Sequence, residues 1–499
     1  MSCSDGPDPA TPPLKAELES NQKDTNDMKN VDDEALKIIR QDLDQREETI
    51  RRLVYAALEE LPAADTSEHV VATYFIAAKS RSLAQVGEEL SYITTTSVKD
   101  PPANSLLAEC TGRVIDTFGF DEARRTGLVR IAFALKMLRD DQGDLYSTDI
   151  LHIAGGAGVF AFAKATDIKL VNLAMSDETL RLFPGPAHGA PGVRRVMNLD
   201  DDEVAFGTVV KPCTGITPQQ QAEIIADAAR NPNLVFIKED ENFLPRVAFA
   251  PLQDRLRCAV DVIEKTRDQR GKRGLIFTPS LTSPPHALLD NVKRAIDAGV
   301  NGIMFSEYYI GGAVRLVRGL TAALADPPAI FGHNGGVTCR TRQIYREVFD
   351  LLARLDGIDF RQTALLSTDR GLLRPFGTEW RKCEEVLSKP LAGHRPVMMA
   401  RAGGLDQGNL IPNLVDIDAG GIGLANYMFL AGTAINSIKN KKGELELSLG
   451  AEAMRQAAEV YHEGVFTEIS DTHVDDLRRH ARVRGLEPLS IALAQRYGE

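Results

Sequence analysis

From His69 onward, short apolar runs alternate with amphipathic stretches, and the periods change from two to about 3.6 and back. Runs at 70–76, 113–118, 128–134 and 168–175 read as strands. Residues 83–90 read as a helix, and 147–162 as a glycine-rich helical stretch. This interleaving predicts a small α+β (ferredoxin-like) domain over 69–190, closed by the turn-forming Phe183-Pro184-Gly185-Pro186-Ala187-His188-Gly189. After Val204 the rhythm becomes strand–helix throughout. Strands are expected at 204–211, 234–239, 274–280, 302–307, 329–333, 358–363, 396–401 and 415–418. Helical patterns fill the gaps, for example 219–229, 255–266, 287–298, 313–324, 342–355 and 378–387. Eight strands alternating with helices over about 240 residues predict an α/β fold with a (β/α)8 TIM barrel at 191–465. A doubly wound sheet is the alternative, disfavoured because no GxGxxG follows the first strand.

Upstream, residues 1–33 are acidic and poor in large apolar residues, so a disordered tail is expected. Ala35, Ile38, Ile39, Leu43, Ile50, Leu53, Val54 and Leu58 recur at helical spacing, which gives a helical extension at 34–68. Residues 466–499 are read as a C-terminal helical segment.

Composition narrows the function classes. The 499 residues call for more than one domain, and 43% hydrophobic with 26% charged residues is ordinary for a soluble protein. A net charge of −12 argues against general nucleic-acid or anionic-membrane binding, while leaving room for a local basic site. Six cysteines without a CxxC pair, no apolar run of transmembrane length and no signal-like N-terminus point to the cytoplasm.

Chemistry enters at the strand ends, where a barrel carries its active site. The second strand ends in Lys238-Glu239-Asp240-Glu241-Asn242. Buried charges there are costly unless they meet a cation or substrate; otherwise the cluster simply faces water. Asp240 and Glu241 supply hard oxygen ligands suited to Mg²⁺. The lysine could be a neutral base, a Schiff-base former or, carbamylated by CO₂, a third anionic ligand. Lys211-Pro212-Cys213 ends the first strand and His333-Asn334-Gly335-Gly336 the fifth. Gly403-Gly404 follows the seventh and Gly420-Gly421 the expected eighth, two turns whose open N–H groups suit a phosphate. Each feature alone is weak; together they suit metal-assisted proton abstraction next to a carbonyl of a phosphorylated compound.

These residues resemble the large subunit of ribulose bisphosphate carboxylase (RuBisCO). Gly207-Thr208-Val209-Val210-Lys211-Pro212 followed by Gly215 resembles its first-strand motif, and Phe236 to Asn242 its metal motif. Asp254-Arg255 with Cys258-Ala259 is similar to the helix behind the second strand, and the two glycine pairs to the first phosphate site. The likeness runs over about residues 69 to 465. It implies that Lys211 is the acid or base in enolisation and that Lys238 carries CO₂ as a carbamate. It implies Asp240 and Glu241 as Mg²⁺ ligands and His333 as a substrate-hydroxyl or acid–base group. It also implies that Gly404, Gly420 and Gly421 hold phosphate through backbone N–H groups, in a homodimer or dimer-based oligomer.

The departures shape the expected activity. Positions that bear lysine, arginine, histidine and serine in the carboxylase are here Cys213, Asn334, Gln362 and Ala402. Ser367-Thr368-Asp369 stands where the mobile lysine loop belongs, and Tyr92 and Gly158 lie near the missing N-domain glutamate and asparagine. A bisphosphate substrate and true carboxylation are therefore disfavoured, while the metal-and-enolisation half remains. That is the pattern of a RuBisCO-like protein. The resemblance implies a lyase that decarboxylates or cleaves a 3-oxo-aldonate phosphate. A methionine-salvage-type enolase or isomerase is the second option, and a non-catalytic metal-binding relative the third. Arg361 and Arg401, with Arg374 beyond, are candidates for binding a substrate carboxylate.

Overall fold

The computed structural model describes residues 43–156, 158–366 and 379–498. Two compact units are present, Met1–Arg51 and Arg52–Glu499. Of the first, the described part is the start of the helix Leu43–Glu60. The expected tail at 1–33, the first part of the helical extension, Ser367-Thr368-Asp369 and Arg374 lie outside the described residues.

The second unit opens with a four-stranded antiparallel sheet, β1 (His69–Ala78), β2 (Arg113–Gly119), β3 (Thr126–Ala134) and β4 (Ala165–Ala174), in the order β2-β3-β1-β4. β1 is central and nearly every residue from Val70 to Ile76 is buried, as an apolar run flanked on both edges requires. The helix Leu83–Ile93 starts on a capping box between Ser82 and Gln85 and buries Leu83, Val86 and Leu90. The expected helical stretch at 147–162 is shorter. It spans Ser147–Ala154 and stops at Gly155-Gly156.

Eight parallel strands follow: β5 (Ala205–Val209), β6 (Leu234–Lys238), β7 (Ile276–Thr278), β8 (Gly302–Phe305), β9 (Ala329–Gly332), β10 (Phe360–Thr363), β11 (Met398–Ala402) and β12 (Tyr427–Ala431). They pair in the order β7-β6-β5-β12-β11-β10-β9-β8, and a parallel bridge between Ser280 and Met304 joins the two ends. This is the expected barrel. Successive side chains alternate between its interior and the helix layer. Phe236, Phe331 and Phe360 point inward and their rings meet at 5.0 to 5.9 Å between centroids, plugging the barrel below its C-terminal rim. Ile237, Ile330 and Met399 face the helices instead.

One strand assignment is corrected. Residues 415–418 lie inside the helix Gln407–Gly420, and the eighth strand is Tyr427–Ala431. The helix contains Pro412, an interior proline that costs roughly 3 kcal/mol against helix propensity. Burial of Leu410, Ile411, Leu414 and Ile417 against the barrel offsets that cost. Three further helices, Leu447–His462, His473–Arg484 and Glu487–Tyr497, end the chain. Among the described residues no helix is long and apolar enough to cross a membrane.

Candidate active site

At the C-terminal rim of the barrel the strands leave a cavity of about 640 Å³. Its wall includes Lys211, Lys238, Asp240, Glu241, His333, Asn334, Gln362 and the Gly403-Gly404 turn. Strand parity sets which charges reach it. With Phe236 inward, Lys238 and Asp240 also point inward, and Glu239 turns outward.

Glu239 is fully buried behind the site. Its carboxylate accepts from the Ser280 amide at 2.9 Å and the Gln221 side chain at 2.5 Å, and Arg255 Nε lies 3.4 Å away. Burial raises its pKa, with Arg255 and Gln221 opposing. The Arg255 guanidinium stacks over Phe243, 4.0 Å from the ring centre. Glu239 therefore anchors the strand end from the rear and takes no part in the cavity.

Two lysine–carboxylate couples face the cavity. Lys211 Nζ donates to Asp240 Oδ2 at 2.7 Å and lies 3.0 Å from Cys213 Sγ. Asn242 holds the other Asp240 oxygen through its backbone N–H at 3.1 Å and its side-chain amide at 2.9 Å. Burial pulls the Lys211 ammonium down, but the hydrogen bonds to Asp240 and Cys213 outweigh it and hold the pKa above the ordinary value. Lys211 passes over Gly432, where an added Cβ would sit 3.3 Å from Lys211 Cε.

Lys238 is 2% exposed and donates to Glu241 Oε2 and to the Glu239 carbonyl, both at 3.2 Å. His333 Nε2 lies 3.2 Å from the same Glu241 oxygen, and its Nδ1 accepts the Gly335 amide at 3.0 Å. That pattern assigns the proton to Nε2. Burial and the Lys238 charge lower the His333 pKa, with Glu241 opposing. Burial works against the Glu241 carboxylate, but the His333 hydrogen bond and Lys238 hold it well below the usual carboxylate range.

The chemistry of this donor set suits a hard divalent cation in one respect and limits it in another. Two carboxylates sit on one wall. Among the described residues no three His, Cys, Asp or Glu side chains are grouped to hold a metal.

Arg361 and Arg401 do not reach the cavity. Both point to the helix layer, 0% and 1% exposed. Arg361 pairs with Glu307 and, at 2.8 Å, with Asp350. Arg401 pairs with Glu384 and Asp416, both at 2.8 Å. Their neighbours Gln362 and Ala402 line the cavity instead. A role for either arginine in binding substrate is thereby corrected to a structural one. Behind the wall, Arg346 donates to Asn334 Oδ1 at 3.0 Å and to the Gln362 carbonyl at 2.8 Å.

Gly404 lines the cavity, and both Gly403 and Gly404 hold positive φ, 99° and 105°. Gly420 and Gly421 are corrected along with the false strand. Gly420 ends the helix Gln407–Gly420 and Gly421 caps it with φ 69°, and neither lines the cavity. The turn after the true eighth strand is Gly432-Thr433, which does. Asp406, Gln495 and Arg496 also line it, and sequence reading missed all three. Asp406 carried a local signal as the N-cap of a capping box with Asn409; Gln495 and Arg496 carried none.

Fold and site define an α/β-barrel protein with a charged cavity at the strand C-termini, the barrel being preceded in the chain by a small antiparallel sheet. Residues 189–367 match the family described as ribulose bisphosphate carboxylase large chain, catalytic domain. The chain is 26% identical over 344 residues to a ribulose bisphosphate carboxylase of Thermococcus onnurineus, covering 64% of this chain and 72% of that one. It is 25% identical over 236 residues to a 3-oxo-isoapionate-4-phosphate decarboxylase of Rhizobium rhizogenes, covering 46% of this chain and about half (53%) of the relative. In structure it is similar to the octameric RuBisCO of Pyrococcus horikoshii, with TM-score 0.72 at 20% identity, covering 87% of this chain and 95% of that one. Over residues 189–367 the chain thus matches the catalytic domain of the RuBisCO large-chain family.

Proposed function

We propose that this protein is a Mg²⁺-dependent RuBisCO-like enzyme. It forms an enediolate from a phosphorylated ketose or 3-oxo sugar acid, and its reaction is the decarboxylation or cleavage of a 3-oxo-aldonate phosphate. The observation that carries this reading is the pair of couples Lys211–Asp240 and Lys238–Glu241–His333 on one wall of a closed-bottomed cavity. A volume of about 640 Å³ suits a small sugar phosphate.

Lys238, its ε-amino group adding to CO₂ with loss of a proton, would carry a carbamate beside Asp240 and Glu241. Asp240, Glu241 and the Lys238 carbamate would hold Mg²⁺, which would supply Lewis acidity toward a substrate carbonyl. Lys211 is the acid or base of the enolisation and moves a proton to or from the reacting carbon. The neutral His333 donates its Nε2–H to a substrate hydroxyl or to Glu241. Backbone N–H groups of Gly403-Gly404 seat the phosphate.

Loss of carboxylation is supported by the cavity wall. Asn334, Gln362 and Ala402 line it where the resemblance expects charged or hydroxyl groups for a second phosphate. The likeness to a named decarboxylase supports the lyase branch. The structural likeness to an octameric RuBisCO supports a dimer-based oligomer.

The test is Mg²⁺-dependent exchange of a substrate C–H proton with deuterium, followed by NMR, together with CO₂ release from 3-oxo-aldonate phosphates. Both should occur, and Lys238→Ala should lower them by on the order of 10²-fold or more. Exchange without CO₂ release points to an enolase or isomerase. If wild type exchanges no proton of any phosphorylated ketose or 3-oxo acid, the enzyme reading fails.

A further inference from the structure

Three consecutive residues of the C-terminal helix tie together Asp406, after β11, and Lys439, in the segment beyond β12. Tyr497 donates its hydroxyl to Asp406 Oδ1 at 2.7 Å, and Arg496 Nε donates to Asp406 Oδ2 at 2.9 Å. Gln495 accepts the Lys439 amide at 3.0 Å and returns a bond to the Lys439 carbonyl at 2.6 Å. Gly408 makes the approach possible, since a Cβ there would meet the Tyr497 oxygen at 2.6 Å.

Asp406 lies two residues after the Gly403-Gly404 turn, and its carboxylate also caps the next helix by accepting from Gly408 and Asn409 at 3.0 Å each. A bare carboxylate beside an anion seat would repel the anion. Arg496 neutralises it and lines the same cavity, with its side chain 31% exposed. Among the described residues the other lysine and arginine side chains on the wall are Lys211 and Lys238, paired with Asp240 and Glu241 as Arg496 is with Asp406. A guanidinium has five N–H donors in a fork that matches a phosphate.

We propose that Arg496 binds the substrate's phosphate at the Gly403-Gly404 turn, with Asp406, Gln495 and Tyr497 as its positioning residues. The inference rests on the reading of that turn as a phosphate seat, and not on the enolisation chemistry. It makes the C-terminal helix part of the substrate site, with specificity for a phosphate monoester.

The probe is inorganic phosphate, titrated by calorimetry into the full-length chain without metal at low ionic strength, with acetate as a parallel probe. Arg496→Gln should weaken phosphate binding by about tenfold or more, and Arg496→Lys by about threefold or less. Equal phosphate affinity in wild type and Arg496→Gln overturns the proposal for Arg496 and leaves the glycine seat standing. No phosphate binding by wild type overturns both. A loss of acetate binding alone also overturns it, by assigning Arg496 to a carboxylate. Should Arg496→Gln lose its cooperative melt, protection of Arg496 from phenylglyoxal by phosphate, mapped by mass spectrometry on the native chain, gives the same answer. Protection is expected, and its absence overturns the proposal. Neither readout depends on turnover, so a failure of the enolisation reading is seen separately.

Discussion

The imidazole of His333 presents its Nε2–H to Glu241 Oε2 across 3.2 Å, with Nδ1 fastened to the Gly335 amide at 3.0 Å. Burial and Lys238 keep this ring neutral despite the nearby carboxylate. The folded pKa lies below the ordinary value, so the unfolded chain takes up this proton first as pH falls through the window below 6.5. In NMR titrations the midpoint of the His333 ring signals should therefore lie below 6.5. His333→Asn should lower kcat on the order of 10²-fold with the fold retained. A His333 midpoint at or above 6.5 would be the contrary result.

Arg401 and Arg361 are structural, and their removal should read out as stability. Arg401→Met leaves Glu384 and Asp416 buried without their cation, a change that costs about 3–5 kcal/mol. Arg361→Met does the same to Glu307 and Asp350. Urea melts should show the loss, while the KM of the remaining folded enzyme stays within about twofold, because neither side chain reaches the cavity. A large KM change at unchanged stability would reverse the assignment.

The glycines separate site from scaffold. Gly404 holds φ 105° on the cavity wall, and Gly404→Ala should lower phosphate affinity by about tenfold through strain and a shifted amide. Gly421 holds φ 69° at a helix end with open space around it. Gly421→Ala should cost about 1–2 kcal/mol of stability and leave phosphate binding unchanged. Calorimetry on both variants checks the contrast.

Asp356 gives the protein a pH-dependent stability away from the cavity. Burial pushes its carboxyl up to about 7, against a hydrogen bond from Ser147 and the charge of Arg315. Between about pH 4 and 7 the folded state keeps a proton that the unfolded chain releases. Stability is thus fullest below pH 4 on this account and is lost as pH rises through 7, by at most about 4 kcal/mol. Asp356→Asn should remove that slope, so its margin of stability over wild type should be greater at pH 8 than at pH 5 and vanish only near pH 4. Equal urea midpoints at both pH values would count against it.

Much of this architecture was legible along the chain, and particular residues show where legibility stopped. Seven barrel strands were readable because each is a short apolar run between turn residues. The lysine–acid cluster was readable because it interrupts such a run at its end. The eighth strand was misplaced, since Pro412 and the glycines at 420–421 imitate a strand between turns. Helix propensity was overridden there by burial of Ile411, Leu414 and Ile417, a gain that exists only once the barrel is assembled. The arginines were misjudged for another reason. One residue of strand parity separates the cavity from the helix layer, and Phe360 facing inward sends Arg361 out and brings Gln362 in.

By itself the sequence determined a barrel preceded by a small α+β sheet, and the strand end on which Lys238, Asp240 and Glu241 stand. These are local matters of period and composition, carried by neighbouring residues. Tertiary structure alone decided that His333 meets Glu241, that Arg401 serves Glu384 and Asp416, and that Arg496 pairs with Asp406 on the cavity wall. Such pairings join residues far apart in the chain. Each depends on the free energy of packing whole helices against whole strands, which no local pattern records.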